Sequence, residues 1–462
     1  SLEVFQLILP RFLLIAIVAI SSGFGQEKPN ILFIYLDDFG WRDTGFMGSD
    51  YYETPNLDRL AKESLVFTDA YSAAANCAPA RACLLSGQYT PRHEVYNVGT
   101  KPRGKAKDRK LGHVPGVDVL DPKIRTWAHR IQNAGYTTGT FGKWHLSGDP
   151  LPYGFDVNVG GDHRGSPPRG YYPPHPNAVG LSDASKDEYL TDRLTDEVDG
   201  FIRANQGKPW LAYLTHFAVH TPIQAKKELL AKYEGKRAGH LHDNAKMGTM
   251  IQAVDDGVRK LLRTLKELKL TEKTIIVFYS DNGGYGPGTD MDPLKGYKGT
   301  YYEGGIRVPF FVHWPGVVQA GWSAEPITGV DLYPTLCAMA GAELPQQPLD
   351  GKSLVPLLRG DVDSLGERAL YWHFPAYLQS YRGMVDEQRD PLFRSRPCSI
   401  MRKGPWKLHH YFEGDALELY HLGNDIGEMN DLAKAEGRRA QSMLSELNQW
   451  REAINAPIPS LK

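Results

Sequence analysis

The sequence predicts an α/β fold: a mostly parallel central sheet flanked by helices, then a smaller C-terminal α+β domain with an antiparallel sheet. Three observations carry this. Near-continuous apolar runs at residues 31–36, 137–141, 210–214 and 274–279 read as strands buried on both faces, the pattern of parallel sheets. Amphipathic stretches separate these runs, and strand–helix alternation marks an α/β layer fold. After about residue 365 the pattern changes, and residues 399–410 read as strand, turn, strand.

Each element follows from its local residues. Residues 56–62 start a helix after Pro55. Residues 124–134 form another, with Gly135 as its C-cap. Longer helices are expected around 187–204 and 246–268, and a final one around 437–454. Two loop regions interrupt the alternation. Residues 88–122 contain the basic run Lys101, Arg103, Lys105, Lys107, Arg109 and Lys110, broken by Asp108. Residues 148–185 are rich in Gly, Pro and Tyr. Long insertions of this kind are often functional. The basic run suits an anionic substrate, but a solvated loop is the preferred reading.

At 462 residues the chain exceeds one ordinary core, so two domains are expected. We read 1–25 as a signal peptide, 26–365 as a catalytic domain and 366–462 as a C-terminal subdomain. Arg11, the apolar run 12–20 and the small residues Ser21, Ser22, Gly23 and Gly25 give the signal-peptide layout. The run is shorter than the roughly 20 residues a spanning helix needs, and no second apolar span follows. A secreted or periplasmic protein is therefore expected. The net charge of −1 gives no global basic field for nucleic acid. Four cysteines are too few for a disulfide scaffold.

Polar residues follow each long apolar run. Asp37 and Asp38 follow the first, Lys143 and His145 the second, His216 and His220 the third, and Asp281 and Asn282 the fourth. Open α/β sheets bind ligands beyond the carboxyl ends of their strands, so these residues are expected at one edge. The all-oxygen set Asp37, Asp38, Asp281 and Asn282 suits a hard divalent cation. Residues 77–87 form a further segment, in which Cys77 stands just ahead of an expected helix, Pro79 opens it and Arg81 lies a turn further on. A helix N-terminus there favours an anion.

The segment Cys77-Ala78-Pro79-Ala80-Arg81, closed by Leu85-Ser86-Gly87, resembles the signature of the sulfatase family. Further blocks resemble the same family: Gly142-Lys143-Trp144-His145, His220-Thr221-Pro222, and K-G-x-x-x-E-G-G-x-R-V-P from Lys298 to Pro309. The resemblance runs from about residue 28 to the closing Glu418, Asp425 and Glu428. Ser86 replaces a commoner Thr, and Ala80 stands where Ser is frequent. No catalytic position of the pattern is missing.

The resemblance implies an alkaline-phosphatase-like fold and a sulfuric ester hydrolase. It implies that Cys77 is oxidised to formylglycine by a formylglycine-generating enzyme. The aldehyde hydrates to a geminal diol, one hydroxyl attacks sulfur, and collapse of the other expels sulfate. It implies one divalent ion, calcium before magnesium, held by Asp37, Asp38, Asp281, Asn282 and the modified Cys77. Lys143, Lys298 and His220 would share the sulfate charge, His145 and Arg81 would hold the diol, and either His220 or Lys298 would protonate the leaving alcohol. His216 ranks behind His220, and His93 and His373 are left out as structural. A sulfated polysaccharide is the expected substrate and an aryl sulfate the alternative. A related phosphomonoester or phosphonate hydrolase, or a non-catalytic module binding sulfated glycans, are the rival readings.

Overall fold

The computed structural model describes residues 28–381 and 391–462. The expected signal peptide lies outside the described residues. Among these residues an eight-stranded sheet runs in the order Val157–Val159, Thr137–Gly142, Trp210–Thr215, Asn30–Leu36, Thr274–Ser280, Phe310–His313, Leu65–Phe67, Gly321–Ser323. The first five strands are parallel, and Phe310–His313 runs antiparallel to both its neighbours. All four expected strands are present at the centre of this sheet. The strands the sequence did not reveal are three or four residues long, too short to show a period.

Alternation along each strand explains the layers. Leu32, Ile34, Ala212, Leu214, Ile276 and Phe278 face one cluster, with apolar residues of Leu190–Asn205 and Ala245–Glu267. Ile31, Phe33, Leu211, Tyr213, Ile275 and Val277 face another, with Cys77–Ser86, Trp127–Asn133 and Leu332–Ala340. Both faces are buried, so each large aliphatic or aromatic side chain contributes about 1.5–3 kcal/mol. In Leu190–Asn205 the buried residues Leu190, Leu194, Val198, Phe201 and Ile202 make one stripe at helical spacing. Ala245–Glu267 begins where the Asn244 side chain accepts from the Met247 N–H. The helix expected from 124 instead begins at Trp127, because Thr126 Oγ1 accepts from the His129 N–H and caps it there.

The C-terminal part is a four-stranded antiparallel sheet, Ala369–Phe374, Cys398–Lys403, Trp406–Tyr411 and Ala416–His421. Gly404, at φ 56°, makes the tight turn between the second and third of these. The helix Gly437–Ala453 lays Ala440, Met443 and Leu447 on Met401, Leu408 and Leu419. The fold is thus α/β with a large, mostly parallel central sheet and a separate antiparallel sheet after it.

Candidate active site

Four parallel strands end at one level. Tyr35 is in register with Thr215 and Tyr279, and Gly142 with Thr215. The residues just beyond these ends therefore meet. Two of them, Asp38 at φ 58° and His145 at φ 66°, hold the left-handed backbone that non-glycine residues seldom adopt. Such conformations cost about 1–3 kcal/mol each and persist where surrounding structure imposes them.

Cys77 is the first residue of the helix Cys77–Ser86, which starts two residues earlier than expected, and Asn76 is its N-cap. Pro79 falls third, still among the first four N–H positions that have no intrahelical partner. The helix start carries Cys77 Sγ to 3.6 Å from Asp37 Oδ1 and 4.0 Å from Asp38 Oδ1. Burial pushes the Cys77 thiol up to about 12, so the unmodified group is a thiol rather than a thiolate.

The charges are paired and buried. Lys143 Nζ donates to Asp37 Oδ2 at 2.6 Å, with neither side chain exposed. Lys298 Nζ lies 2.7 Å from both oxygens of Asp38. The Arg81 guanidinium donates to Asp281 Oδ2 at 3.0 and 3.2 Å, to the Lys143 carbonyl at 2.9 Å and to Thr215 Oγ1 at 2.6 Å. Four of its five N–H groups thus go to the scaffold. Burial would raise the Asp38 carboxyl, but Lys298, His220 and Lys143 hold it far below the usual range. Burial and the neighbouring Asp37 push Asp281 up to about 7, despite Arg81. Lys298 stays cationic: burial lowers its pKa, but Asp38 and Cys77 more than offset this.

A cavity of about 410 Å³ opens over this cluster. Cys77, Asp38, His145, His220 and Lys298 line it. Asp37, Lys143, Arg81, Asp281 and Asn282 lie behind, almost fully buried. His220 Nε2 is 3.8 Å from Asp38 Oδ2, and its Nδ1 is 2.8 Å from the Thr221 carbonyl. A carbonyl only accepts, so the ring proton sits on Nδ1. Burial lowers the imidazole to about 3 and keeps it neutral. His216 is also buried and neutral but does not line the cavity. His93 sits against Cys83 at 3.3 Å, and His373 is held by Ser399 and the Pro457 carbonyl, both away from the cluster.

The residues also fit a divalent ion. Oxygens of Asp37, Asp38 and Asp281 lie within 4.8 Å of one another, as do ligand atoms of Asp37, Cys77 and His220. The lysines and Arg81 already balance the carboxylates, so charge alone does not require a metal. Asn282 adds a more specific sign: its Nδ2 donates to Asp38 Oδ1 at 2.8 Å, while its buried Oδ1 has no partner. Buried polar oxygens are rarely left so, and a hard cation satisfies one.

Sequence reasoning missed several contributors. Thr215 Oγ1 ties Arg81 to the Lys143 carbonyl, a role a strand-end threonine does not advertise. Asn97, Arg103, Tyr285, Tyr381 and Arg394 also line the cavity. Arg103 alone had a signal, its place in the basic run.

With this geometry in place, the comparisons are informative. The family described as Sulfatase matches residues 29–342, about two thirds of the chain. The chain belongs to the sulfatase family. A second family, N-sulphoglucosamine sulphohydrolase C-terminal, matches residues 297–453. The sulfatase is 32% identical to a sulfatase of Formosa agariphila, covering 94% of this chain and 90% of that protein. It is 30% identical to human N-acetylgalactosamine-6-sulfatase, covering 96% and 89% respectively. These relatives make it a sulfuric ester hydrolase. Its fold matches the crystal structure of Ps i-CgsB in complex with k-i-k-neocarrahexaose, with TM-score 0.75, 31% identity and coverage of 92% and 93% of the two chains. The phosphonate monoester hydrolase of Agrobacterium radiobacter shares the fold at TM-score 0.67 and 21% identity. Architecture alone therefore does not separate sulfate from phosphonate chemistry.

Proposed function

We propose that this sulfatase hydrolyses sulfate monoesters on a sulfated carbohydrate, using Cys77 matured to formylglycine and one calcium ion. The observation that carries the proposal is the convergence of Cys77, three buried aspartates and two buried lysines beyond the ends of adjacent parallel strands. Asp37, Asp38, Asp281, Asn282 and residue 77 would hold the ion. When bound, the ion lowers the pKa of the hydrated residue-77 aldehyde and withdraws charge from the sulfate. The aldehyde hydrate supplies one hydroxyl to attack sulfur and a second whose collapse releases sulfate, which a plain thiol cannot do.

The remaining work falls to the chain itself. Lys298, cationic and facing the cavity, is a pre-organised donor for the charge that develops on the sulfate oxygens. The buried ammonium of Lys143 orients Asp37, and Arg81 orients Asp281 and the Lys143 backbone. The His220 proton sits on Nδ1, toward Thr221, so the cavity-facing Nε2 of a neutral ring has none to give. Lys298 is therefore our choice for the group that protonates the leaving alcohol. His145 lines the same cavity as residue 77 and would position the diol.

The carbohydrate class is supported by relatives named for sulfated sugars and by the basic groups around the cavity. We keep residues 26–365 as the catalytic domain, 366–462 as the C-terminal subdomain, export through the N-terminal 25 residues, and maturation by a formylglycine-generating enzyme as parts of the same reading. Among the described residues no helix is long and apolar enough to cross a membrane.

Steady-state kinetics of matured enzyme on paired aryl sulfate and aryl phosphate substrates test the proposal. We expect a clear sulfate preference in kcat/KM. A large phosphate preference would move the protein to the phosphomonoester or phosphonate class, and no turnover of either would favour a glycan-binding module.

A further inference from the structure

We propose that Arg103 and Arg394 form a second anion subsite at the wall of the cavity. It would hold a sulfate or carboxylate on the sugar that bears the scissile ester or on its neighbour. The proposal rests on the sulfatase reading and narrows its substrate class to multiply anionic saccharides.

The two arginines arrive from distant parts of the chain and converge. Arg103 belongs to the basic loop, and Arg394 lies in the short strand Phe393–Ser395. Both line the cavity that Cys77 and Lys298 line. Their segments abut: a Cβ on Gly104 would stand 2.4 Å from Phe393 Cε1, so the residues next to the two arginines are in contact. Gly104 accommodates this with a left-handed backbone at φ 74° and no side chain.

Each guanidinium is anchored by carbonyls, not carboxylates. Arg103 donates to the Val98 carbonyl at 2.8 Å. Arg394 donates to the Gln379 carbonyl at 2.9 Å and to the Lys298 carbonyl at 3.2 Å, and stacks 3.8 Å above the Tyr381 ring. Among the described residues neither forms an ion pair. Arginine has five donors, so each keeps N–H groups to offer, in the planar fork that suits sulfate or carboxylate.

The anchors also fix the subsite relative to the nucleophile. Val98 follows Asn97, whose Oδ1 accepts from the side chain of Asn76, the N-cap of the Cys77 helix, at 2.9 Å. Arg109 donates to the carbonyls of Arg103 and Gly104 at 3.0 and 2.6 Å and braces the loop. A fixed pair of cations with no carboxylate partner among the described residues, beside the proposed sulfate-binding centre, suits a second anion. The basic run thus divides by place: Arg103 reaches this cavity, and Lys105 and Lys107 are exposed.

Calorimetry on the unmatured Cys77 protein with calcium present reads binding without turnover. The ligands are N-acetylgalactosamine 6-sulfate, its 4,6-disulfate, and a monosulfated uronate–hexosamine disaccharide. We expect at least one doubly anionic ligand to bind about tenfold or more tightly than the monosulfate. The tighter ligand of the two tells whether a sulfate or a carboxylate fills the subsite. Arg103→Ala should abolish that preference, and Arg103→Lys should keep part of it. Equal affinity for all three ligands, or an equal loss on all three in Arg103→Ala, would overturn the proposal. Aryl sulfate turnover by matured protein tests the underlying reading separately: its absence alongside an intact preference would remove the sulfatase mechanism and leave the subsite.

Discussion

Replacing Gly165 with alanine should cripple activity with almost no effect on folding. Gly165 lies flat against the imidazole of His145. A Cβ at residue 165 would fall 2.3 Å from His145 Cε1 and 2.5 Å from Nε2, where ordinary contact begins near 3.4 Å. The ring must therefore retreat by about 1 Å. Its backbone cannot follow, because His145 holds φ 66° and its N–H is bound to the Asp162 carbonyl at 2.9 Å. The ring is left to rotate, and its Nδ1 has no partner to resist that motion. A misplacement of about 1 Å beside reacting atoms costs on the order of 10²-fold in rate. Gly165 has no left-handed φ, so alanine adds no backbone strain, and the stability change should stay within about 0.5 kcal/mol. Steady-state assay with an aryl sulfate, beside a thermal melt, reads both quantities. A Gly165→Ala enzyme within about twofold of wild type would refute the positioning role of His145. A large drop in melting temperature would show instead that Gly165 serves the fold.

The remaining expectations concern the buried ion network and the metal. Lys407, fully buried, bridges Glu303 and Glu428 at 2.9 Å each, so Lys407→Met should cost about 3–5 kcal/mol near neutral pH. Burial would raise Glu303, but Lys407, Arg307 and Arg402 hold it down at about 2 against an ordinary 4.5. Its contribution is present above about 4.5 and is lost as pH falls toward about 2, so wild type and variant melting temperatures should converge in acid; a constant gap would contradict this. Chelation should lower kcat by on the order of 10²-fold or more, with calcium restoring it better than magnesium; turnover indifferent to chelator would remove the ion from the account.

Much of this was legible because strand and chemistry coincide. The long apolar runs are the central strands, and each is followed at once by its polar residues, so topology alone gathers Asp37, Lys143, His220 and Asp281. Where each polar atom points was not legible. Arg81 looks like a diol ligand in sequence, and its ties to Asp281 and Thr215 are contacts made only in three dimensions. The glycines of the 298–309 block became explicable only with coordinates: a Cβ on Gly304 would stand 2.1 Å from the Gly296 carbonyl oxygen, and one on Gly305 2.0 Å from that of Thr300. These close approaches shape the loop that presents Lys298. Arg394 and Tyr381 had no sequence signal, since they reach the cavity from beyond the catalytic motifs.

The most direct measurement is a mass spectrum of the tryptic peptide spanning residues 63–81, taken from fully active enzyme. The account predicts a peptide that has lost the sulfur of Cys77 and whose aldehyde reacts with a hydrazide. An intact cysteine at position 77 in enzyme turning over at full rate would contradict it.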